Sequence, residues 1–594
     1  MKDFLKMLVA SILGVFIAMF FVWILLVAML VAMLSDLGSG SKTIYSLGDN
    51  TVLQINLDGS ITDRESKDLM PGLLGGSEKS TGLDDILKAI KTAKENDKIT
   101  GIFIKIEAMS AGIATLEPIR KALVDFKGSG KFVVTYADYY TQGAYYLSSV
   151  ADKLIMNPQG MLMFRGMAAN MQFNKGLFDK LGIKFEVFRA GTFKSAAESF
   201  TETSMSEANR EQISSYVNCI WSHLLAGISE SRGISVAQLN LYADEYLDYS
   251  APEKTVEYGL IDTLMYAPDV KDYIKKLMDI DELKYATIAN INSIPSKRAV
   301  ASKDKIAVLY AEGTIMQGRS KGLAPLMENM ITDYEYVKEL GKLKDDKSVK
   351  AVVFRINSGG GSAFASENIW RAVTELKKEK PVIVSMGSYA ASGGYYIACE
   401  ADYIVAEPTT LTGSIGVIGL VPEGVELHKK LGLTFDGVKT NKHTDMLAMS
   451  GIGTKIKTFD DDERMIFQNY VSRFYDVFLT RCADGRSKTK EEIDAIGQGR
   501  VWTGAQALQN GLVDRLGSLD DAIDVAAERA ELLNYSVESF PKQKDAFSKL
   551  MEELAGANLK ASIIRAFLGD DVYKQYVIAN KKMSPLDFVQ YIIE

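Results

Sequence analysis

The sequence predicts a tandem pair of α/β domains carried behind an apolar N-terminal helix. Three observations lead there: Gly101 to Glu107 recurs as Ala351 to Asn357 at an offset of 250 residues, short β-branched runs alternate with amphipathic stretches in both halves, and Met7 to Leu34 contains no charge.

The charge-free run comes first. As a helix at about 1.5 Å per residue it reaches roughly 42 Å, more than the roughly 30 Å of bilayer hydrocarbon. It ends Ala32-Met33-Leu34-Ser35-Asp36, without the small-residue cleavage pattern of a signal peptide, so residues 1–36 read as an uncleaved, single-pass transmembrane anchor. Lys2 and Lys6 favour a cytoplasmic N-terminus and put everything after Asp36 on the far side.

The first domain, 37–295, opens on a Gly38-Ser39-Gly40-Ser41 link and a strand signal at Val52 to Leu57, followed by Asp58-Gly59. That signal returns at Ile306 to Tyr310, with Glu312-Gly313 behind it. Ala151-Asp152, Pro158 and Leu181-Gly182 return as Ala401-Asp402, Pro408 and Leu431-Gly432 at the same offset of 250, and Gly259 to Asp262 returns as Gly511 to Asp514 at 252. Such a period is far longer than a solenoid unit and marks a duplicated domain, with helices at stretches such as Leu83 to Ala93 and Ala365 to Lys377. Asn292 to Arg298 carries the linker signals, which sets the linker at 296–304 and the second domain at 305–534. Beyond about Leu533 the repeat runs out, and 535–594, including Ser548 to Leu554, reads as a helical tail.

Composition narrows the chemistry. At 594 residues and 47% hydrophobic the chain can bury more than one core, and a net charge of -8 with a pI near 5.4 argues against a nucleic-acid partner. Cys219, Cys399 and Cys482 form no CxxC, so neither a disulfide framework nor a structural zinc site is indicated. His223, His428 and His443 leave few ways to build a histidine-based site, and no metal or cofactor is expected.

The second domain holds a candidate nucleophile. Pro381 to Met386 reads as a buried strand, Tyr395 to Cys399 opens a helix, and near the start of that helix lies Ala391-Ser392-Gly393-Gly394. Small neighbours let a substrate backbone come close to the Ser392 hydroxyl, and the N–H groups of Gly393 and Gly394 at a helix N-terminus can face a developing negative charge. Taken alone, the stretch is equally a tight turn that needs small residues.

Reading the two copies in register supplies what that stretch lacks. Ser392-Gly393 falls opposite Gln142-Gly143, so the first copy keeps the glycine without a nucleophile. Gly191-Thr192-Phe193-Lys194-Ser195 falls opposite Asn441-Lys442-His443-Thr444-Asp445, which sets Lys194 against Thr444. One half has the serine and lacks the lysine; the other has the reverse. Serine needs a base within hydrogen-bond reach at neutral pH. Lysine serves only when neutral, so burial has to lower its pKa from about 10.4 toward 7, on the order of 5 kcal/mol. Gly191, Ala196, Ala197 and Phe200 give Lys194 an apolar context compatible with burial. A solvated surface lysine is the plain alternative, and the complementarity of the copies favours a base reaching across from one domain to the other.

Two further stretches fit the second half as the acting one. Asn357-Ser358-Gly359-Gly360-Gly361-Ser362 follows the strand Val352 to Ile356, and its glycines can present an N–H to an oxyanion where the first copy has Ala108-Met109-Ser110-Ala111-Gly112. Leu411-Thr412-Gly413-Ser414-Ile415-Gly416 offers Ser414, either as a hydroxyl that orients the amine or as a plain turn serine.

Together these motifs resemble the double-domain signal peptide peptidases of serine peptidase family S49, over roughly Val52 to Leu533 plus the anchor. The resemblance implies Ser392 as nucleophile, Lys194 as general base from the other domain, Ser414 positioning the amine, and Gly393 with Gly360 or Gly361 as the oxyanion hole. The family shows Asn-Ser-Pro-Gly-Gly where this chain has Gly359 for the proline, which loosens the loop and leaves Gly360 and Gly361 both open as donor. It also implies tandem ClpP/crotonase-like domains of stacked ββα units and a homo-oligomer, a tetramer, mounted on membrane lipid. The implied location is the inner (cytoplasmic) membrane with the catalytic body on its periplasmic side, and the implied substrates are signal peptides left in the membrane and other apolar peptides. Two readings stand beside this one: a Ser–His site using His443, with Asp445 nearby, and a catalytically silent membrane scaffold.

Overall fold

The computed structural model describes residues 46–65, 80–294, 302–319 and 330–543, with isolated positions 14, 19–21 and 24 near the N-terminus. Apart from those positions, the expected anchor lies outside the described residues, as does the expected helical tail beyond 543. Among the described residues no helix is long and apolar enough to cross a membrane. The architecture belongs to one compact unit, Tyr45–Glu65 with Lys79–Pro541.

The first half runs β1 (Thr51–Thr62), α1 (Leu83–Glu95), β2 (Ile99–Ser110), α2 (Ile113–Lys127), β3 (Phe132–Tyr140), α3 (Gln142–Ser148) and β4 (Lys153–Leu162). It continues through β5 (Lys184–Ala190), α4 (Glu207–Arg232), α5 (Ala267–Met278) and β6 (Lys284–Thr287). β6, β1, β2, β3 and β4 are parallel neighbours in that order. The second half repeats this order, with two short strands in place of β4: β7 (Lys305–Glu312), α6 (Asp333–Asp345), β8 (Val349–Ser358), α7 (Ala363–Lys377), β9 (Val382–Ala391), α8 (Gly393–Tyr396), β10 (Tyr403–Ala406) and β11 (Leu411–Gly413). Then come β12 (Val417–Glu423), α9 (Asp461–Arg486), β13 (Val501–Thr503), α10 (Leu519–Arg529) and β14 (Ser536–Phe540).

Why these runs become central strands follows from burial on both faces. Val352, Val353, Phe354 and Ile356 of β8 are all fully buried, as a parallel strand covered on both sides requires. Ile90, Ile119 and Leu123 from α1 and α2 cover one face of the first sheet, and Val270 and Ile274 from α5 cover the other. Leu340, Ile369 and Val373 do the same for the second sheet, with Ala522, Val525 and Ala526 of α10 opposite. Each half is thus a three-layer α/β sandwich.

The repeat does not end at Leu533. Ser536–Phe540, read from the sequence as the start of a helical tail, forms β14 and pairs in parallel with β7, as Lys284–Thr287 pairs with β1. Ser536, Glu538 and Ser539 leave no apolar run to signal a strand, and only the free edge of β7 recruits them.

β5 and β12 leave the two main sheets and pair antiparallel with each other, one strand from each half, from Lys184 opposite Glu423 to Ala190 opposite Val417. Phe188, Val421, Phe459 and Val471 bury a small core of their own there, the Phe188 and Phe467 rings lying 4.5 Å apart.

Candidate active site

β9 ends at Ala391 and α8 begins at Gly393, so Ser392 makes the whole turn between them. Its backbone sits at φ 55° and ψ -119°, a region that residues carrying a Cβ seldom occupy. The turn is held because the Ser392 N–H donates to Gly413 O at 2.9 Å and its carbonyl accepts from the Tyr396 N–H at 2.9 Å.

The small neighbours serve packing. A Cβ on Gly393 would fall 2.6 Å from Ser366 Oγ, one on Gly394 2.5 Å from Ser358 O, and one on Gly360 2.7 Å from the Gly393 nitrogen. The Gly359–Gly361 loop therefore lies backbone to backbone against the residue that follows Ser392. Within it, the Gly360 N–H donates to Ser358 Oγ at 3.1 Å.

Lys194 arrives from the other half on the ribbon. With Ala190 opposite Val417, the chain leaving β5 toward Lys194 and the chain running from Ser414 into β12 share one end of it. The Phe193 N–H donates to Gln498 O and the Gly499 N–H to Ile415 O, each at 2.7 Å, so one turn holds both extensions. Lys194 Nζ then lies 2.9 Å from Ser392 Oγ, 2.9 Å from Ser414 Oγ and 2.9 Å from Ser414 O. Lys194 is only 7% exposed, and that burial brings its ammonium down from 10.5 to about 8. An amine that is partly neutral near pH 8 and within hydrogen-bond reach of a strained serine hydroxyl can take that hydroxyl's proton.

Ser392, Lys194, Ser414, Gly393, Gly360 and Gly361 thus converge; the Gly361 nitrogen lies 3.2 Å from the point a Gly393 Cβ would occupy. His443 stands elsewhere: its Nδ1 lies 3.7 Å from Glu463 Oε1 at the start of α9, while the hydrogen-bond partner of Ser392 Oγ is Lys194. The register counterparts are spent. Gln142 Oε1 accepts from the backbone N–H groups of Arg165 and Gly166 at 3.3 and 3.2 Å, and Thr444 is exposed in a turn.

Two residues that hold Lys194 carried no sequence signal. Gln212 on α4 is 3% exposed; its Nε2 donates to Phe193 O and to Ser195 Oγ, each at 3.0 Å, and its Oε1 accepts from the Val501 N–H at 3.2 Å. It grips the chain on both sides of Lys194 and ties it to the second half. Gly499, at φ 77°, lies so close to Lys194 that a Cβ would sit 2.7 Å from its nitrogen. A glutamine on an amphipathic helix and a glycine in a turn are the commonest of surface features, and only the fold shows what they touch.

The pattern of Peptidase family S49 matches the chain twice, at residues 125–281 and 374–533. The chain is similar to Protease 4 of Salmonella typhi, 34% identical over 557 residues that span 91% of this chain and 87% of that one. It is also similar to the chloroplastic serine protease SPPA of Arabidopsis thaliana, 30% identical over 487 residues, 81% of this chain and 69% of that one. Among solved structures, a ClpP1 of Listeria monocytogenes aligns with 36% of this chain and 94% of its own, at 15% identity and a TM-score of 0.24.

Proposed function

The chain belongs to peptidase family S49, and from that premise we propose that its serine peptidase activity runs on a Ser392–Lys194 dyad, assembled across the two halves of one chain. The observation that carries this is the 2.9 Å separation of Lys194 Nζ from Ser392 Oγ, with the amine buried.

The geometry sets the proton path. A neutral amine has two N–H groups and one lone pair. Ser414 Oγ and Ser414 O, both 2.9 Å from Nζ, accept the two N–H groups and leave the lone pair for the Ser392 hydroxyl. Lys194 takes that proton as Ser392 Oγ attacks the scissile carbonyl carbon, then gives it to the leaving amine as the C–N bond breaks. The acyl-serine is released by a water that loses its proton to the same amine. The oxyanion meets the Gly393 N–H at the start of α8 and the Gly361 N–H, since the Gly360 N–H already donates to Ser358 Oγ.

The enzyme is read as a membrane-anchored homo-oligomer of ClpP/crotonase-type units that cuts signal-peptide remnants within their apolar segments, its body on the extracytoplasmic side of the inner membrane. Support for anchoring and location is the charge-free run Met7 to Leu34 behind Lys2 and Lys6; support for substrate, fold type and assembly is the resemblance of the four motifs.

A fluorophosphonate probe and an apolar signal-sequence peptide test the reading together. Probe labelling of Ser392 and loss of hydrolysis in both Ser392→Ala and Lys194→Ala, with His443→Ala active, is the expected pattern. Retained hydrolysis in Lys194→Ala would sink the dyad, and absence of labelling would leave the scaffold reading.

A further inference from the structure

Beside the glycine loop lies a cavity of about 630 Å³ lined by Glu312, Thr314, Asn357, Gly360, Gly361 and Tyr389 among others. Gly360 and Gly361 belong both to its wall and to the loop packed on Ser392 and Gly393, so the cavity and the nucleophile share that loop. The lining is polar, and among the described residues Glu312 is its one carboxyl.

We propose that this cavity receives a cationic group of the peptide substrate, a Lys or Arg side chain or an α-ammonium, with Glu312 as its counter-ion. The proposal rests on the reading of Ser392 as nucleophile. Glu312 ends β7 in register with Asn357 of β8, and the Gly313 N–H donates to Asn357 O at 3.0 Å, so the sheet fixes its position.

Among the described residues, the cations around Glu312 are committed to other partners. Arg355 is committed to Asp63, at 2.9 and 3.1 Å, and to Ser385 Oγ and Met386 O. The Arg64 guanidinium stacks over the Tyr310 ring at 4.4 Å and donates to Pro541 O at 2.9 Å. Burial first, and then the like charge of Asp63, hold the Glu312 carboxyl up at about 7 against the opposing pull of Arg355, Asn357 and Arg64. An entering cation would ionise the carboxyl and form an ion pair partly shielded from water, which is where charge complementarity discriminates most. The first copy has an acid, Asp58, in the matching sequence position.

The test is a panel of quenched apolar peptides carrying a single Lys or its neutral isostere norleucine at successive positions, each with a free or an acetylated N-terminus. A preference of about tenfold in kcat/KM for one Lys position, or for the free terminus, is expected. The first outcome assigns the side chain and the second the α-ammonium. In Glu312→Gln that preference should collapse to within about twofold, and in Glu312→Lys it should pass to a glutamate-bearing peptide. Equal rates across the panel, or a preference that survives Glu312→Gln, would overturn the proposal. Should the variants not fold, the wild-type ratios decide: the Lys-to-norleucine ratio should rise between about pH 6 and pH 8 as Glu312 ionises, whereas the free-to-acetylated ratio should pass through a maximum, because the α-amino group loses its own proton near about 8; a ratio flat with pH in both comparisons overturns the proposal. Lys194 titrates equally for both peptides and cancels in the ratio. Hydrolysis without preference refutes this inference alone, whereas no hydrolysis and no probe labelling refutes the dyad beneath it.

Discussion

Asp63 grips the guanidinium of Arg355 with both carboxylate oxygens, Oδ1 to Nη2 at 2.9 Å and Oδ2 to Nε at 3.1 Å, although the two residues come from different halves of the chain. Both are buried, at 6% and 2% exposure. A pair like this contributes little against an apolar replacement, but breaking it leaves a charge stranded in a low dielectric.

Asp63→Ala is therefore expected to cost about 3–5 kcal/mol of stability, whereas Asp63→Leu together with Arg355→Met should recover most of that loss. Calorimetric melting of the three proteins checks it; a single variant as stable as the double would show the pair to be inert.

The pH dependence follows from Lys194, lowered by burial from 10.5 to about 8. Only the neutral amine accepts the serine proton, so kcat/KM should climb tenfold per pH unit below about 8 and level off above it. Stability runs with the same sign: the folded value lies below the unfolded one, so the unfolded chain binds the extra proton and stability rises between about pH 8 and pH 10.5. Below that window the cost is fully present, so Lys194→Met should stabilise the fold at pH 7 by up to about 3 kcal/mol while abolishing turnover. Chemical denaturation at pH 7 and pH 10 measures both effects.

Ser414→Ala removes one of the two acceptors that turn the Lys194 lone pair toward Ser392. A fall in kcat of about ten- to a hundredfold with KM little changed is expected, because the amine is mispositioned rather than lost. Steady-state kinetics on one apolar peptide suffices, and an equal fall in Ser414→Thr would argue that the hydroxyl is not what matters.

Gln212→Leu and Gly499→Ala probe the frame around the lysine. The first frees Phe193 O, Ser195 Oγ and the Val501 N–H; the second places a Cβ 2.7 Å from the Lys194 nitrogen at φ 77°. Each should lower kcat by tenfold or more on the order of a 1 Å displacement of the amine. A change in the pH at which kcat/KM levels off would accompany it, which a merely structural loss of protein would not produce.

Much of the site was legible because the chain carries its own comparison. Setting the copies in register showed a serine without a lysine and a lysine without a serine, and the structure brings Ser392 and Lys194 to 2.9 Å. The small residues after Ser392 were legible as a pattern but not as a cause, since proximity of substrate and proximity of the Gly359–Gly361 loop ask for the same residues. β14 was not legible at all, because an edge strand with one paired side needs no apolar run.

By itself the sequence determined the duplication, the alternation of strands and helices, and the pairing of Ser392 with Lys194 that the structure brings to 2.9 Å, because repeats and periodicity are written in neighbouring residues. Only the tertiary structure decided how that pair is held. The antiparallel meeting of β5 and β12 carries Lys194 to Ser414, Gln212 accepts from the Val501 N–H across 289 residues, and Asp63 meets Arg355 across 292. Hydrogen bonds and buried charges are satisfied by whatever lies near in space, and at such separations one strand of sequence holds no trace of its partner.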